Sequence, residues 1–116
     1  MRRKKQRLER FLKGEAARIK IKRMSDYSDP FLAPDGYFLF KARDGFDELD
    51  ELSLEARGLF FELMRVSGKW KLIGVITDKD NEPVTIELLS EWIALPIETI
   101  VKPLKELFEN NWIEFR

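Results

Sequence analysis

The chain has 116 residues, of which 44% are hydrophobic and 12% aromatic, enough to build the core of one small domain. It contains neither cysteine nor histidine, which excludes disulfides, thiolate zinc sites, cysteine nucleophiles and the commonest general base. No apolar run approaches the roughly 18 residues of a membrane span, and no apolar stretch follows the basic N-terminus as in a secretory signal. We therefore expect a cytosolic protein that uses no cofactor.

A formal net charge of zero conceals a strong asymmetry between the two ends of the chain. Residues 1–24 contain eleven of the 21 lysines and arginines and two acidic residues, which gives a net charge of +9. Residues 25–116 contain ten lysines and arginines and nineteen acidic residues, which gives a net charge of −9. This split predicts a basic arm that binds a polyanion or an acidic partner. The basic residues of the arm are Arg2, Arg3, Lys4, Lys5, Arg7, Arg10, Lys13, Arg18, Lys20, Lys22 and Arg23.

Apolar residues recur in the arm at three- and four-residue steps, which predicts one amphipathic helix. Gly14 weakens that helix by roughly 1 kcal/mol, so we expect the helix to need something to pack against. The next segment, 25–36, contains two prolines and a glycine and is typical of a linker. These features divide the chain into an arm at 1–24, the linker, and a folded domain at 37–116. The apolar face of the arm comprises Leu8, Phe11, Leu12, Ala16 and Ile19.

The first half of the domain has a strand-like aromatic run at 37–42, followed by an acidic turn. Ser53 is a good N-cap for a first helix, which we expect to end near Ser67 and Gly68. Residues 70–77 are apolar and β-branched, as in a strand, and the polar run 78–83 is typical of a turn. The expected apolar face of the first helix is Leu54, Leu59, Phe60, Leu63 and Met64.

Two helices and a strand complete the chain. Thr85 is predicted to cap the shorter helix, and Pro96 suits the first turn of the longer one, in which Pro103 should bend or loosen the middle. Residues 112–116 alternate between apolar and polar, as in a half-buried strand, and we expect them to pair with the strand near 73–76. The expected buried positions are Leu88, Leu89, Trp92 and Ile93 in the shorter helix and Ile97, Ile100, Val101, Leu104, Leu107 and Phe108 in the longer one.

The order helix, strand, short helix, tight turn, longer helix, strand is that of a winged helix-turn-helix. The predicted fold class is therefore α+β and mainly helical, with a small antiparallel sheet and an N-terminal basic helical arm. A hairpin wing needs one more strand after Phe115, but the sequence stops at Arg116. The wing is thus expected to be absent, contributed from elsewhere, or lost by truncation.

Most of the domain's apolar residues fall in three runs: 52–64 (LSLEARGLFFELM), 74–76 (GVI) and 84–115 (VTIELLSEWIALPIETIVKPLKELFENNWIEF). These runs resemble the N-terminal winged helix of phage and prophage replication-initiation proteins, the replisome organisers, which are related in style to the primosome protein DnaD. The resemblance covers about residues 36–116. It implies a domain that binds origin DNA, self-associates or docks replication partners, and it brings no catalytic residues with it.

A helix-turn-helix normally reads bases with the exposed N-terminal part of its second helix. Here that face is expected to contain Thr99 and Lys102, with Lys105 on its flank, and these three are candidate DNA contacts. The same face also holds three acids, and carboxylates near phosphates are repulsive. The arm is therefore the stronger candidate for DNA contacts. The acids are Glu98, Glu106 and Glu109.

Two hypotheses about function stay open at this stage. In the first, the chain is a non-catalytic, DNA-associated module of a phage-type replication or regulatory system, and the arm supplies phosphate contacts. In the second, it is a protein-interaction module that self-associates or docks a replication partner without nucleic acid. Under this second hypothesis, the arm is a solvated stretch of charged residues or folds back on the acidic domain. Membrane-surface binding is disfavoured, because the apolar face of the arm has no tryptophan and Glu9 and Glu15 interrupt its charge.

The acidic clusters at 44–55 and 78–82 have no calcium-loop spacing, so we interpret them as a solvated helix entrance and a turn rather than metal sites. No cluster of side chains predicts catalysis. Trp70, Trp92 and Trp112 are expected to be core or sheet-covering residues, any one of which would mark a partner surface if it were left exposed.

Overall fold

The computed structural model describes residues 2–22, 46–67 and 74–116. Within them the chain is α+β and mostly helical, with four α-helices and one small antiparallel sheet. The predicted linker at 25–36, the strand-like run at 37–42, Arg23 and residues 70–73 lie outside the described residues. In chain order the elements are α1 (Arg2–Leu12), β1 (Ile19–Ile21), a 3-10 helix (Phe46–Glu51), α2 (Leu54–Ser67), β2 (Val75–Ile76), α3 (Ile86–Ile93), α4 (Ile97–Glu109) and β3 (Ile113–Phe115).

The sheet has the strand order β2-β1-β3, so a strand from the N-terminal segment lies at its centre. Ile19 is opposite Ile76 on one side and Phe115 on the other, and both pairings are antiparallel. The expected pairing of the last strand with the strand near 73–76 is therefore wrong, because β1 lies between them. Successive side chains of β1 point to opposite faces of the sheet, so Ile19 and Ile21 are buried on one face and Lys20 is half-buried on the other.

The N-terminal segment is not one helix. α1 ends at Leu12, and Gly14 follows with a φ of +107°, a conformation that L side chains rarely adopt. The chain then extends, so that Ala17 forms an antiparallel bridge with Val84 before β1 begins. The predicted continuation of the helical face to Ala16 and Ile19 is therefore wrong, since Ile19 belongs to the sheet.

Residues 2–22 share one hydrophobic core with the rest of the described chain. Leu8 and Phe11 of α1 are buried, and the Phe11 ring centroid is 4.9 Å from that of Phe115 in β3. The described part of the basic segment is therefore packed into the folded unit, as in the alternative in which the arm folds back on the domain. Its removal would take away a helix and the central strand together.

The remaining helices begin where their capping residues predict. The Ser53 hydroxyl accepts a hydrogen bond from the Ala56 N–H at the start of α2, and the Thr85 hydroxyl accepts one from the Leu88 N–H at the start of α3. Pro96 has extended backbone angles and forms the N-cap of α4, one position before the helix. Most of the predicted apolar positions are buried or half-buried, but Leu54 is 74% exposed and so does not belong to the core-facing side of α2.

The helices α3 and α4 follow one another and are joined by a short turn in which Ala94 adopts the left-handed conformation. The apolar stripe predicted for α4 is confirmed: Ile100, Leu104 and Leu107 are buried and the others pack against the core. Of the tryptophans in the described ranges, Trp92 is half-buried and Trp112 buried. None of the helices in those ranges is long and apolar enough to cross a bilayer.

Candidate nucleic-acid interface

The helix α1 holds a row of cations at the surface of the folded unit. Its apolar side chains fix it from beneath, with Phe11 inaccessible to solvent and Leu8 3% exposed. Arg3, Arg7 and Arg10 share one exposed face through their four- and three-residue spacing. Lys4 lies one turn before Leu8 on the same side of the helix, near its exposed N-terminal end. The side chains of Arg3, Lys4, Lys5, Arg7, Arg10 and Lys13 are all exposed.

These cations have no carboxylate partner in the described ranges, where the ion pairs join Arg65 to Glu62 and Arg116 to Glu114. Arg7 uses one Nη1–H to donate a hydrogen bond of 3.3 Å to the Phe115 carbonyl. Glu9 is the only acid within α1. Among the residues that the structure describes, no ion pair neutralises the positive charge of this surface. Arg2 also belongs to α1, but its side chain lies outside the described part of the structure.

The cations of the strand segment are instead engaged within the fold. The Arg18 guanidinium donates hydrogen bonds of 3.2 and 2.7 Å to the Asn81 carbonyl, which ties β1 to the turn at 78–83. Lys20 is half-buried opposite Glu114 in the register of β1 and β3, and the Lys22 Nζ donates to the Asn111 Oδ1 at 2.7 Å. Of the eleven predicted arm contacts, six are exposed cations at 3–13, Arg18 and Lys22 hydrogen-bond to other parts of the fold, and Lys20 is half-buried. The side chains of Arg2 and Arg23 lie outside the described part of the structure.

The three candidates on α4 are exposed, but their surroundings are acidic. Thr99 and Lys102 line a shallow groove of about 250 Å³ between the start of α4 and the start of α2. Three carboxylates line the same groove, and they would repel a phosphate placed beside Lys102. Lys105 is exposed further along the helix. The carboxylates are those of Glu55, Glu98 and Glu106.

Glu106 has a structural role that sequence patterns did not reveal. Its Oε2 accepts a hydrogen bond of 2.6 Å from the Ser53 N–H, and its Oε1 accepts one of 2.7 Å from the Ser53 hydroxyl. These bonds, first of all the one from the backbone N–H, lower the pKa of Glu106 below its ordinary value of 4.5. Glu106 lines the same groove as Thr99 and Lys102, as expected, and has in addition a structural partner on another helix. It is half-buried and caps the N-terminus of α2 from another helix.

The length of α1 suits contact with several phosphates. Eleven helical residues span roughly 16 Å, which corresponds to about five nucleotides along one strand of a duplex. Because α1 is anchored in the core, its cations are already ordered at the backbone level when they meet a partner. An ordered surface loses less conformational entropy on binding than a free arm would.

Comparison of the chain with protein-family models, with curated proteins and with solved structures gives no match.

Proposed function

We propose that this chain is a non-catalytic, DNA-associated winged-helix module of a phage-type replication or regulatory system, and that α1 is its principal contact with nucleic acid. The observation that carries the proposal is the group of exposed cations on a helix whose apolar residues are part of the core. Cations without a carboxylate partner among the described residues attract the phosphate backbone, and binding releases its condensed counterions. Phosphate contacts of this kind position a protein without reading sequence.

The winged-helix interpretation is supported by the order of α2, β2, α3, α4 and β3. These five elements follow the predicted succession, and α3 and α4 are joined by a tight turn. The difference lies in the third strand of the sheet, which comes from β1 at Ile19–Ile21 instead of a segment after Phe115.

The surroundings of α4 support the choice of α1 over the usual recognition helix. In the described ranges, α1 has one acid among its eleven residues. The exposed start of α4 shares its groove with three carboxylates. At equal distances from a phosphate, the repulsion from these groups offsets the attraction to Lys102. On this proposal α4 orients the module, and sequence preference is weak.

The localisation of binding is tested by two triple variants with the same change of charge. The first replaces Arg3, Lys4 and Lys5 of α1 with glutamine, and the control replaces Lys79, Lys102 and Lys105 with glutamine. All six side chains are exposed, so neither variant should disturb the core. Binding to a fluorescein-labelled 20-base-pair duplex is followed by anisotropy at low salt.

We expect the α1 variant to lose roughly tenfold or more in affinity and the control to lose less than about threefold. An equal loss in the two variants would show that net charge alone governs binding. A larger loss of affinity in the control variant would indicate that α4, not α1, makes the main contact with DNA. Both results contradict the proposal.

The alternative function is self-association without nucleic acid, and a groove of about 280 Å³ between α2 and α4 favours it. The groove includes Gly58, Leu95 and Pro103 and is edged by the acids Glu55 and Glu62. The cations of α1 in a second copy would complement these acids. Sedimentation velocity at low and high salt tests this alternative. It predicts a dimer that dissociates as the salt concentration is raised. The double variant Glu55→Gln and Glu62→Gln should weaken that dimer.

A further inference from the structure

A groove of about 580 Å³ lies beside the cationic helix, in the size range of sites that hold small organic groups. It runs between the N-terminal half of α1, the end of α4 and β3. Leu8, Phe108 and Ile113 give it an apolar lining, and the remaining lining residues are polar or charged. The polar residues are Lys4, Lys5, Glu109, Asn111 and Glu114.

The aromatic member of the lining is held in place by other rings. Phe108 is half-buried, and its ring centroid is 5.9 Å from that of Phe115, which in turn lies 4.9 Å from Phe11. The three rings form a continuous tilted series from the core to the groove. The accessible part of the Phe108 ring is therefore presented to the groove by a rigid support, which favours stacking of a flat ligand.

Two cations, Lys4 and Lys5 of α1, line the groove beside these apolar residues. Asn111 lines it as well, and its Oδ1 accepts a hydrogen bond of 2.7 Å from the Lys22 Nζ. Of the two carboxylates, that of Glu114 is paired with Arg116 at 2.9 Å. The groove thus combines a partly exposed aromatic ring, amide and carboxylate groups able to meet the edge of a base, and flanking cations for phosphates.

We infer that this groove takes an unpaired base of a single-stranded nucleic acid, stacked on Phe108, with the neighbouring phosphates on Lys4 and Lys5. The inference rests on the proposed function, because the same helix supplies the phosphate contacts. A base in a duplex is enclosed by its neighbours and cannot enter such a groove without being flipped out. A single strand offers its bases at no such cost, and stacking on an aromatic side chain tolerates every base.

The inference predicts a preference for single strands that depends on one ring. Affinities are measured by anisotropy at one low salt concentration for a labelled 20-nucleotide single strand of mixed sequence and for the duplex of the same sequence. The wild type should bind the single strand several-fold more tightly. Phe108→Leu keeps an apolar side chain but removes the ring, and it should weaken single-strand binding about tenfold while leaving duplex binding within about twofold.

Phe108→Tyr is the matched control, because it keeps the ring and should retain the preference for single strands. If the wild type binds both ligands equally and Phe108→Leu changes neither affinity, the groove inference is overturned while the proposed function stands. If Phe108→Leu weakens single-strand and duplex binding alike, the ring acts through the fold and the inference is again overturned. If the wild type binds neither ligand, the proposed function fails as well.

Discussion

The rings of Phe11 and Phe115 lie 4.9 Å apart between their centroids, at an interplanar angle of 36°, although 104 positions separate the two residues in the sequence. This contact joins the basic helix α1 to the last strand. Phe11 is inaccessible to solvent and Phe115 is 3% exposed. The charged N-terminal segment is therefore held by core packing, and its cations occupy fixed positions on the surface.

Phe11→Ala should lower the free energy of unfolding by about 3 to 5 kcal/mol, because it removes a fully buried ring from the contact between α1 and the sheet. Urea unfolding followed by tryptophan fluorescence measures the change. Gln6→Ala, at an exposed position of the same helix, is the control and should change stability by less than about 0.5 kcal/mol. Equal stabilities of Phe11→Ala and the wild type would mean that the segment is an appended arm after all.

The bond between Glu106 and Ser53 makes stability depend on pH in a defined direction. The pKa of Glu106 is lowered in the folded state, so its contribution is present above the ordinary value of 4.5 and is lost as the pH falls through the folded pKa. Glu106→Gln should destabilise by about 1 to 2 kcal/mol at pH 7, since it replaces a charged acceptor at a helix N-terminus. The difference between wild type and variant should shrink toward pH 3.

Urea unfolding of both proteins at pH 7, 5 and 3 supplies this comparison. Glu109→Gln, at an exposed position near the end of the same helix, is the control and should show little change with pH relative to the wild type. A stability difference for Glu106→Gln that stays constant from pH 7 to pH 3 would contradict the assigned role of the carboxylate.

Leu104 belongs to the buried stripe of α4 that the sequence pattern predicted. Leu104 is fully buried in α4, so Leu104→Ala should cost about 2 to 5 kcal/mol. Lys105→Ala, one position further on, is exposed and should change stability by less than about 0.5 kcal/mol. A loss below 0.5 kcal/mol for Leu104→Ala in the same melts would show that the stripe of α4 does not face the core.

The sequence predicted the C-terminal part of the fold well, because its signals are local. Ser53 and Thr85 cap helices within three residues of themselves, and the three- and four-residue spacing from Ile97 to Phe108 fixes which face of α4 is buried. The N-terminal segment carried two overlapping signals. Leu8 and Phe11 obey helical spacing, and Ile19 continues it by coincidence, whereas Ile19, Lys20 and Ile21 alternate as in a strand.

Ile19 lies in a strand because it pairs with Ile76 and Phe115, and these long-range partners cannot be inferred from the local sequence pattern. The same limitation applies to the candidate site. Composition located the basic segment, but only the tertiary structure separates the exposed cations of α1 from Arg18 and Lys22, which bond to Asn81 and Asn111. Glu106 was missed for the same reason, since its partner Ser53 belongs to a different helix.

The salt dependence of duplex binding tests the central claim most directly. If four to six cations of α1 contact phosphates, a plot of the logarithm of the binding constant against the logarithm of salt concentration should have a slope of roughly −3 to −5. Replacement of Arg3, Lys4 and Lys5 by glutamine should flatten that slope by about 2 to 3 units, whereas replacement of Lys79, Lys102 and Lys105 should change it by about one at most. A wild-type slope near zero, or a slope that flattens only in the second variant, would contradict the assignment of α1 as the nucleic-acid contact.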